Sequence, residues 1–212
     1  METGFAFAGT PEEIAGAIRL ITAVYEKSGY VREGESSALS RFLASTATAT
    51  FIARAADRIV GTISVISDSP EGLPMDLLYK NELAPLRQRG LLLAEVGQFA
   101  IEPEVGLKDR TLSLSLFKLA LHYGLRKGFD LFCITVNPKH EAFYRSMGFE
   151  IFAETRDYPS VENAPAVPMT LDLKKLAALA GSGASMNILV KEIFKNPPEE
   201  AILTQALAKA AS

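Results

Sequence analysis

The hydrophobic residues near the start of the chain recur at helical spacing. Thr10 can cap a helix, Pro11 suits its first position, and Glu13 stands where a capping box requires an acidic residue. The apolar stripe that follows has residues three or four positions apart: Ile14, Ile18, Ile21 and Tyr25. These signals together predict an amphipathic helix that packs one face against a core.

Beyond this helix the hydrophobic period changes to two. β-branched residues alternate on both sides of a short turn near Ala56 and Asp57 in "TATFIARAADRIVGTISVISD", which predicts a β-hairpin. Later segments predict helices at 76–90, 111–127 and 137–148, and strands in "LAEVGQFAI", "DLFCITVNP", "FEIFAETRDY" and "APAVPMTLDL". This order predicts an α/β (α+β) protein with a mixed central sheet and helices on both faces.

The last part of the chain has a different character. We expect a domain over residues 1–173 and a C-terminal helical extension over 174–212. A Gly/Ser break at 181–185 and a proline pair at 197–198 divide the extension into two or three amphipathic helices. The pattern leaves open whether these helices pack on the core or against another subunit.

Composition excludes several classes of function. The 212 residues are 48% hydrophobic and 22% charged, with a net charge of -3, which is ordinary for a globular protein and gives no reason to expect nucleic acid binding. We expect a cytoplasmic location, because neither a membrane span nor a signal peptide is recognisable. Cys133 is the single cysteine and the histidines are His122 and His140, so no metal site or nucleophilic triad is predicted.

A carboxylate in the strand "LAEVGQFAI" points to chemistry. Strict alternation places Glu95 on the more apolar face, together with Leu93, Gly97, Phe99 and Ile101. Desolvation on such a face raises the pKa of a carboxyl group toward neutrality, where a general base works best. Gly97 leaves room beside it for a substrate amine. The alternatives are that Glu95 pairs with a buried arginine, or that a bulge turns it outward.

The segment "NPKHEAFYRSMGFE" resembles the acyl-donor region of the GNAT N-acyltransferase fold, through Asn137, Tyr144, Gly148 and Phe149. A narrower resemblance covers most of residues 14–173. "GTISVISDSPEGLPMDLLY", "LRQRGLLLAEVGQFAI", "LFKLALHYG" and "YPSVENAPAVPMTLDL" are similar to long-chain N-acyl amino acid synthases, which are relatives of the homoserine-lactone autoinducer synthases. Gly97 and Gln98 depart from the autoinducer pattern Glu-Ser-x-Arg-Phe, so the resemblance does not extend to a lactone-precursor acceptor.

The resemblance implies a donor site where strands 93–101 and 130–136 splay apart. It places Glu95 as catalytic base and Tyr144 as the acid for the leaving thiolate, although a tyrosine packed in the core is the alternative. The donor-binding residues would be Phe99, Ala100, Ile101, Lys108, Arg110, Thr111 and Asn137. The loop "EPEVGLKDRTLS" has one glycine, which favours the single phosphate of a carrier-protein arm over the pyrophosphate of coenzyme A.

A long acyl chain needs an apolar slot. Leu73, Met75 and Leu78 are candidate lining for it, with Gly97 and Gln98 beside the acceptor, but the three apolar residues suit an ordinary core equally well. The acceptor carboxylate has five candidate partners that the sequence does not rank: Arg19, Arg32, Arg41, Arg87 and Arg89.

The resulting hypothesis is an N-acyltransferase that moves a long acyl group from acyl carrier protein to the amine of an amino acid. The co-substrate would be the phosphopantetheine thioester of acyl carrier protein, or acyl-CoA, with no permanently bound cofactor and no metal. We expect acyl carrier protein and a small amine as partners, and a homo-oligomer is possible. The alternatives are a short-chain acyl-CoA N-acetyltransferase and a non-catalytic module that binds acyl chains or acyl carrier protein.

Overall fold

The computed structural model describes residues 3–32, 38–109, 111–182 and 187–209. Its strands are β1 (Thr3–Phe7), β2 (Thr48–Ala55), β3 (Arg58–Ser67), β4 (Leu93–Ile101), β5 (Leu131–Val136), β6 (Glu150–Ile151), β7 (Arg156–Tyr158) and β8 (Ala164–Asp172). Its α-helices are α1 (Pro11–Lys27), α2 (Asp76–Gln88), α3 (Pro103–Lys108), α4 (Leu112–Lys127), α5 (Glu141–Ser146), α6 (Leu173–Gly181), α7 (Ile188–Lys195) and α8 (Glu200–Lys209). Short 3₁₀ turns lie at Ala38–Ala44, Pro138–His140 and Pro159–Val161.

The strands form a mixed sheet, as the sequence predicts. Their order is β1-β2-β3-β4-β5-β8-β6, and β7 also pairs with β8. β4 and β5 run parallel, whereas the other described pairs are antiparallel. The long connection between the two parallel strands contains α3 and α4, as a parallel crossover requires.

The helices cover both faces of this sheet. α1 packs on one face against Ile52 and Ala100, and α4 packs on the other against Phe51 and Ile63. The predicted start of α1 is confirmed, because the Thr10 side chain accepts the Glu13 N–H and the Glu13 carboxylate accepts the Thr10 N–H. The predicted hairpin of β2 and β3 is also confirmed, with Ala56 at φ 53° in its turn.

The C-terminal helices pack on the core. Residues from α6, α7 and α8 belong to the same hydrophobic cluster as α4: Leu173, Leu176, Val190, Ile193, Ile202, Leu203 and Ala206. The His122 ring lies 3.1 Å from the carbonyl oxygen of Ile193, and Arg126 forms an ion pair with Glu200. These contacts favour the first of the two arrangements that the sequence left open.

Three features differ from the sequence prediction. β1 and the 3₁₀ turn at Ala38–Ala44 were not predicted. The segment "FEIFAETRDY" forms the two short strands β6 and β7 instead of one. The stretch interpreted as a phosphate loop contains α3, whose first position is Pro103 and whose turn is closed by N–H bonds from Val105 and Gly106 to the Glu102 carbonyl.

A β-bulge in β4 corrects the predicted face of two residues. The step from Thr62 to Ser64 on β3 spans Gly97 to Ala100 on β4, so β4 carries one extra residue there, and Gln98 has φ 51°. Beyond the bulge the alternation is inverted. Phe99 and Ile101 therefore pack on the α4 face, and the prediction that they share the face of Glu95 is wrong.

Candidate active site

β4 and β5 separate after a short paired stretch. Their register runs from Leu93 beside Leu131 to Glu95 beside Cys133, whereas the strands continue to Ile101 and Val136. A cavity of about 210 Å³ opens in the gap. The splay predicted for this pair of strands is confirmed, and Glu95 lies where it begins.

Glu95 is almost fully enclosed. The residue is 4% exposed, and its Oε2 accepts a hydrogen bond of 2.7 Å from the backbone N–H of Met75. Burial raises the pKa of Glu95 to about 8, against the opposing effect of the Met75 N–H, and the nearby charge of Asp76 raises it further. A carboxyl group with this pKa exchanges protons readily near neutral pH.

The alternatives for Glu95 are resolved by this geometry. Its bonded partner is a backbone N–H and not an arginine, and the bulge lies three residues further along at Gln98. An ideal Cβ built at Gly97 would meet no heavy atom within 4 Å, so the space expected beside Glu95 is present. The buried Gln98 and the strand residue Phe99 also line the cavity.

Tyrosine side chains form part of the remaining wall. Four tyrosines line the cavity: Tyr25, Tyr30, Tyr144 and Tyr158. The Tyr25 and Tyr30 rings meet edge to face with centroids 5.8 Å apart. The Tyr158 hydroxyl donates to the Pro74 carbonyl at 2.9 Å, and burial raises its pKa well above the usual value, as it also does for Tyr25.

Tyr144 both packs against the core and lines the cavity, so its position fits each of the two interpretations offered by the sequence. Its ring packs edge to face against Phe143 and Phe149, and it borders the main hydrophobic core. It also lines the cavity, where burial alone raises its pKa to about 12. Tyr144 therefore stays protonated at neutral pH and has a proton to donate.

The turn after β5 completes the wall. Asn137 caps this turn through its Oδ1, which accepts the Lys139 N–H at 3.2 Å, and Asn137 and His140 line the cavity. The Lys139 ammonium lies 5.5 Å from the centre of the Tyr30 ring. This contact links the turn to the segment that follows α1.

The comparison with protein families agrees with this geometry. The family model described as N-acyl amino acid synthase FeeM matches residues 16–172. The chain belongs to the FeeM family of N-acyl amino acid synthases. A comparison with curated proteins gives no match.

Solved structures place the same fold in other N-acyltransferases. FeeM itself, an N-acyl amino acid synthase from uncultured soil microbes, is 33% identical with a TM-score of 0.76, over 82% of this chain and 93% of that one. An N-acetyltransferase from Staphylococcus aureus Mu50 is 11% identical with a TM-score of 0.58, over 82% and 99%. An acyl-CoA N-acyltransferase from Pseudomonas aeruginosa is 15% identical with a TM-score of 0.54, over 81% and 99%. The FeeM-family chain is an N-acyltransferase with the GNAT fold.

The structure of this FeeM-family enzyme separates the predicted acyl lining from the cavity. Leu73 and Met75 are buried in a packed apolar cluster with Tyr79 and Leu83, and Leu78 packs against it. None of the three predicted lining residues contacts the cavity directly. Their neighbour Pro74 does, as does Ile66, which belongs to both the cluster and the cavity wall.

The predicted donor residues are likewise only partly brought together. Phe99 and Asn137 line the cavity, whereas Ala100 and Ile101 pair with Thr62 and Gly61 of β3. Lys108 and Thr111 are exposed and lie outside the cavity wall. The Asp109 carboxylate accepts the Thr111 N–H at 2.9 Å and hydroxyl at 2.6 Å, which places a negative charge at the start of α4. Arg110 lies outside the described residues.

Sequence reasoning missed three of the four tyrosines. Tyr25 belongs to the apolar stripe that predicts α1, and Tyr158 ends the predicted strand "FEIFAETRDY", so neither pattern marks a site residue. A hydroxyl group at the end of an otherwise apolar stripe was the available signal, because buried tyrosines need a polar neighbour for that group. Tyr30 carried no such signal, since it follows the helix.

Two further findings concern metals and membranes. In the described ranges, no three His, Cys, Asp or Glu side chains lie close enough together to hold a metal ion. The helices described for this FeeM-family enzyme include none with the length and apolar character needed to cross a membrane.

Proposed function

We propose that the protein acylates the amine of an amino acid, or a similar small amine, with a long-chain fatty acyl group carried on acyl carrier protein. The observation that carries this proposal is Glu95, a carboxyl group with a pKa near 8 at the mouth of the gap between β4 and β5, in a chain of the FeeM family. FeeM is an N-acyl amino acid synthase, which supports an amino acid as acceptor.

The reaction has to remove two protons from the ammonium nitrogen and return one to the sulfur of the leaving group. An α-amino group with a pKa of roughly 8 is mostly protonated near neutrality, so the amine has to lose a proton before it attacks. Glu95 takes this proton, and the amine nitrogen bonds to the thioester carbon. The C–S bond then breaks, and the sulfur leaves as a thiolate that Tyr144 protonates. The Tyr144 oxygen takes the second proton from the nitrogen as the amide forms, and Glu95 releases the first proton to solvent.

The match between base and amine favours this assignment. The pKa of Glu95 is close to that of an α-amino group, so transfer of the proton between them requires little free energy. The open space at Gly97 lies next to Glu95 along the same face of β4 and accommodates the amine. Tyr144 lines the same cavity.

The donor part of the proposal depends on two features. α3 occupies the segment in which a glycine-rich loop would bind a pyrophosphate, and the N–H groups of Val105 and Gly106 are bonded to the Glu102 carbonyl. Fewer free backbone donors favour an arm with one phosphate. The cavity wall includes the apolar side chains of Ile66, Val96 and Ile134, and each acyl methylene buried against them would add about 0.8 kcal/mol to donor binding.

A side-by-side assay of donors tests the proposal. Long-chain acyl carrier protein and acetyl-CoA are each incubated with a panel of amino acids, and products are identified by mass spectrometry. We expect a higher kcat/KM for the long-chain carrier. Turnover of acetyl-CoA with none of the carrier would establish a short-chain N-acetyltransferase, and carrier binding without product would establish a non-catalytic module.

A double variant tests how the carrier is recognised. Lys108→Ala with Arg110→Ala is expected to weaken carrier binding, with the largest difference at low salt, because such contacts are screened. Lys80→Ala is the matched control, since Lys80 is an exposed lysine on α2. Equal binding by the double variant and the control at low salt would place the carrier elsewhere.

A further inference from the structure

One arginine holds the segment that contacts Glu95. The Arg87 guanidinium donates to both oxygens of Asp68, at 2.7 and 2.9 Å, and to both oxygens of Asp76, at 2.7 Å each. All three side chains are largely shielded, with 27%, 19% and 16% exposed for Arg87, Asp68 and Asp76. Bidentate hydrogen bonds between a guanidinium and a carboxylate are among the stronger polar contacts in proteins.

Asp76 connects this cluster to the catalytic carboxylate. Its Oδ2 also accepts the Leu73 N–H at 2.7 Å, which closes the turn before α2. Met75 lies within that turn, and its N–H points to Glu95 at 2.7 Å. At the other side, the Tyr158 hydroxyl donates to the Pro74 carbonyl at 2.9 Å and holds the same turn.

We propose that Arg87 is a positioning residue for Glu95: by clamping Asp76 to Asp68 it fixes the turn that aims the Met75 N–H at the carboxylate, and it neutralises the anion nearest to that carboxylate. The inference rests on the proposed role of Glu95 as the base. Arg87 touches neither substrate nor Glu95 and acts through Asp76 and Met75.

The same geometry removes Arg87 from the candidates for the acceptor carboxylate. A guanidinium has five N–H donors, and four hydrogen bonds from Arg87 already go to the two aspartates. A substrate carboxylate would have to displace one of them. The sequence did not separate Arg87 from Arg19, Arg32, Arg41 and Arg89 for this role.

The groups that face Glu95 determine what loss of Arg87 does. They come from four elements or turns: Asp76 at the start of α2, Tyr25 on α1, Tyr158 on β7 and Cys133 on β5. Asp76 is the group among them whose charge raises the pKa of Glu95, whereas burial raises the pKa of the two tyrosines and the cysteine. Without Arg87, the charge of Asp76 acts on Glu95 uncompensated, and the Met75 N–H loses its support.

Four variants test this inference on the ligand-free enzyme. Arg87→Gln removes both the charge and the paired hydrogen bonds to the two aspartates. Arg87→Lys keeps the charge but loses the paired hydrogen bonds. Asp76→Asn removes the negative charge but keeps an acceptor for the Leu73 N–H. Arg54→Gln is the control, because Arg54 forms a comparable, partly buried ion pair with Glu13 at 2.7 Å. Arg54 lies on β2, two strands away from β4 in the sheet. Infrared titration follows the protonated carboxyl band that Glu95→Gln lacks.

The midpoint is the pH at which half of this band is lost. We expect it to rise by about one pH unit in Arg87→Gln, to rise less in Arg87→Lys, and to fall in Asp76→Asn. The control leaves it unchanged. The acidic limb of the pH–rate profile, which reports the group that has to be unprotonated, should move with the band in each variant. A purely structural role would lower the melting temperature without moving the midpoint in opposite directions.

Unchanged midpoints, or shifts in the same direction for Arg87→Gln and Asp76→Asn, would overturn the inference. If Arg87→Gln does not fold, Arg87→Lys and Asp76→Asn still carry the test. Failure of the proposed function can be distinguished from failure of this inference. The first would appear as full activity of Glu95→Gln. The second would appear in the infrared titration, which requires no turnover.

Discussion

The two halves of the β4–β5 pair have opposite surroundings. In the paired half, Leu93 and Leu131 lie side by side, and Leu93 and Cys133 belong to a closed apolar cluster. In the splayed half, Gly97 and Gln98 face a cavity whose wall carries tyrosine hydroxyl groups. The same two strands thus provide packing at one end and a site at the other.

Glu95 lies at the boundary and takes one property from each half. The paired half shields it from water, which raises its pKa, and on the splayed side Glu95 lines the cavity. A carboxyl group that is buried yet borders a cavity is therefore found where the strand pairing stops. Changes on either side of this boundary should have different consequences.

The largest effect is expected from Glu95→Gln. The amide keeps the shape and can still accept the Met75 N–H, but it cannot take a proton, so kcat should fall by roughly 10²–10⁴. Steady-state kinetics on the folded variant measures this. Glu102→Gln is the control, since Glu102 directly follows β4 and pairs with Arg58 at the surface. Full activity of Glu95→Gln would exclude Glu95 from the mechanism.

The same substitution should change how stability depends on pH. The pKa of Glu95 is raised from 4.5 to about 8, so between these values the folded protein keeps a proton that the unfolded chain has released. Stability contributed by this group is present below pH 4.5 and is lost as the pH rises toward 8, at a cost of roughly 3 kcal/mol at pH 7.

Denaturant unfolding at a series of pH values checks this sign. The difference in unfolding free energy between Glu95→Gln and the wild type should grow in favour of the variant as the pH rises. A difference that is constant from pH 5 to 8 would show that Glu95 titrates near its ordinary value, and that the paired half does not shield it.

The sequence predicted the parts of the fold that local signals control. The capping residues Thr10 and Glu13, the hairpin turn near Ala56 and the glycine after α4 at 128 all act over a few residues, and each is found as predicted. α3 was missed although Pro103 offered a usable signal, because the stretch was interpreted through the phosphate loop of other GNAT enzymes.

The candidate site was predictable only where one strand supplied it. Glu95 and Gly97 followed from alternation within β4, but the bulge at Gln98 had no signal, since a positive φ is uncommon for glutamine. The tyrosine wall joins residues far apart in sequence, and their proximity depends on strand order, which periodicity does not encode. The Arg87 cluster lies within the connection between β3 and β4, but its side chains meet across 11 and 19 positions, which is beyond the reach of helix or strand periodicity.

The next effect concerns the splayed half. If Tyr144 protonates the leaving thiolate, Tyr144→Phe keeps the ring contacts with Phe143 and Phe149 and removes the proton donor, so thiol release should slow roughly tenfold to a hundredfold. Release is followed with a thiol reagent in single-turnover experiments. Tyr123→Phe is the control, a core tyrosine on α4 whose hydroxyl does not face the cavity. Unchanged release with lower stability would assign Tyr144 to the core.

A smaller effect is expected when the cavity is narrowed. Gly97→Val should fill the open space beside Glu95 and lower kcat/KM about tenfold, because the amine can no longer approach in line. Stability should not fall, since valine favours strands and meets no neighbour there. Gly4→Val on β1 is the matched control, where an added Cβ also meets nothing. Equal kinetics for the two variants would place the acceptor elsewhere.

The smallest effect on activity is expected in the paired half. Cys133 lies beside Glu95 in the register, is fully buried, and has its pKa raised by burial, so it remains a thiol and takes no part in proton transfer. Cys133→Ala should cost about 1 kcal/mol of stability through lost packing, measured by denaturant unfolding, and leave activity per folded molecule close to that of the wild type. Glu95 would stay shielded by the other residues of the cluster, so the pH–rate profile should keep its midpoint. A large loss of activity in a well-folded Cys133→Ala variant would mean that the paired half contributes to the chemistry and not only to the burial of its base.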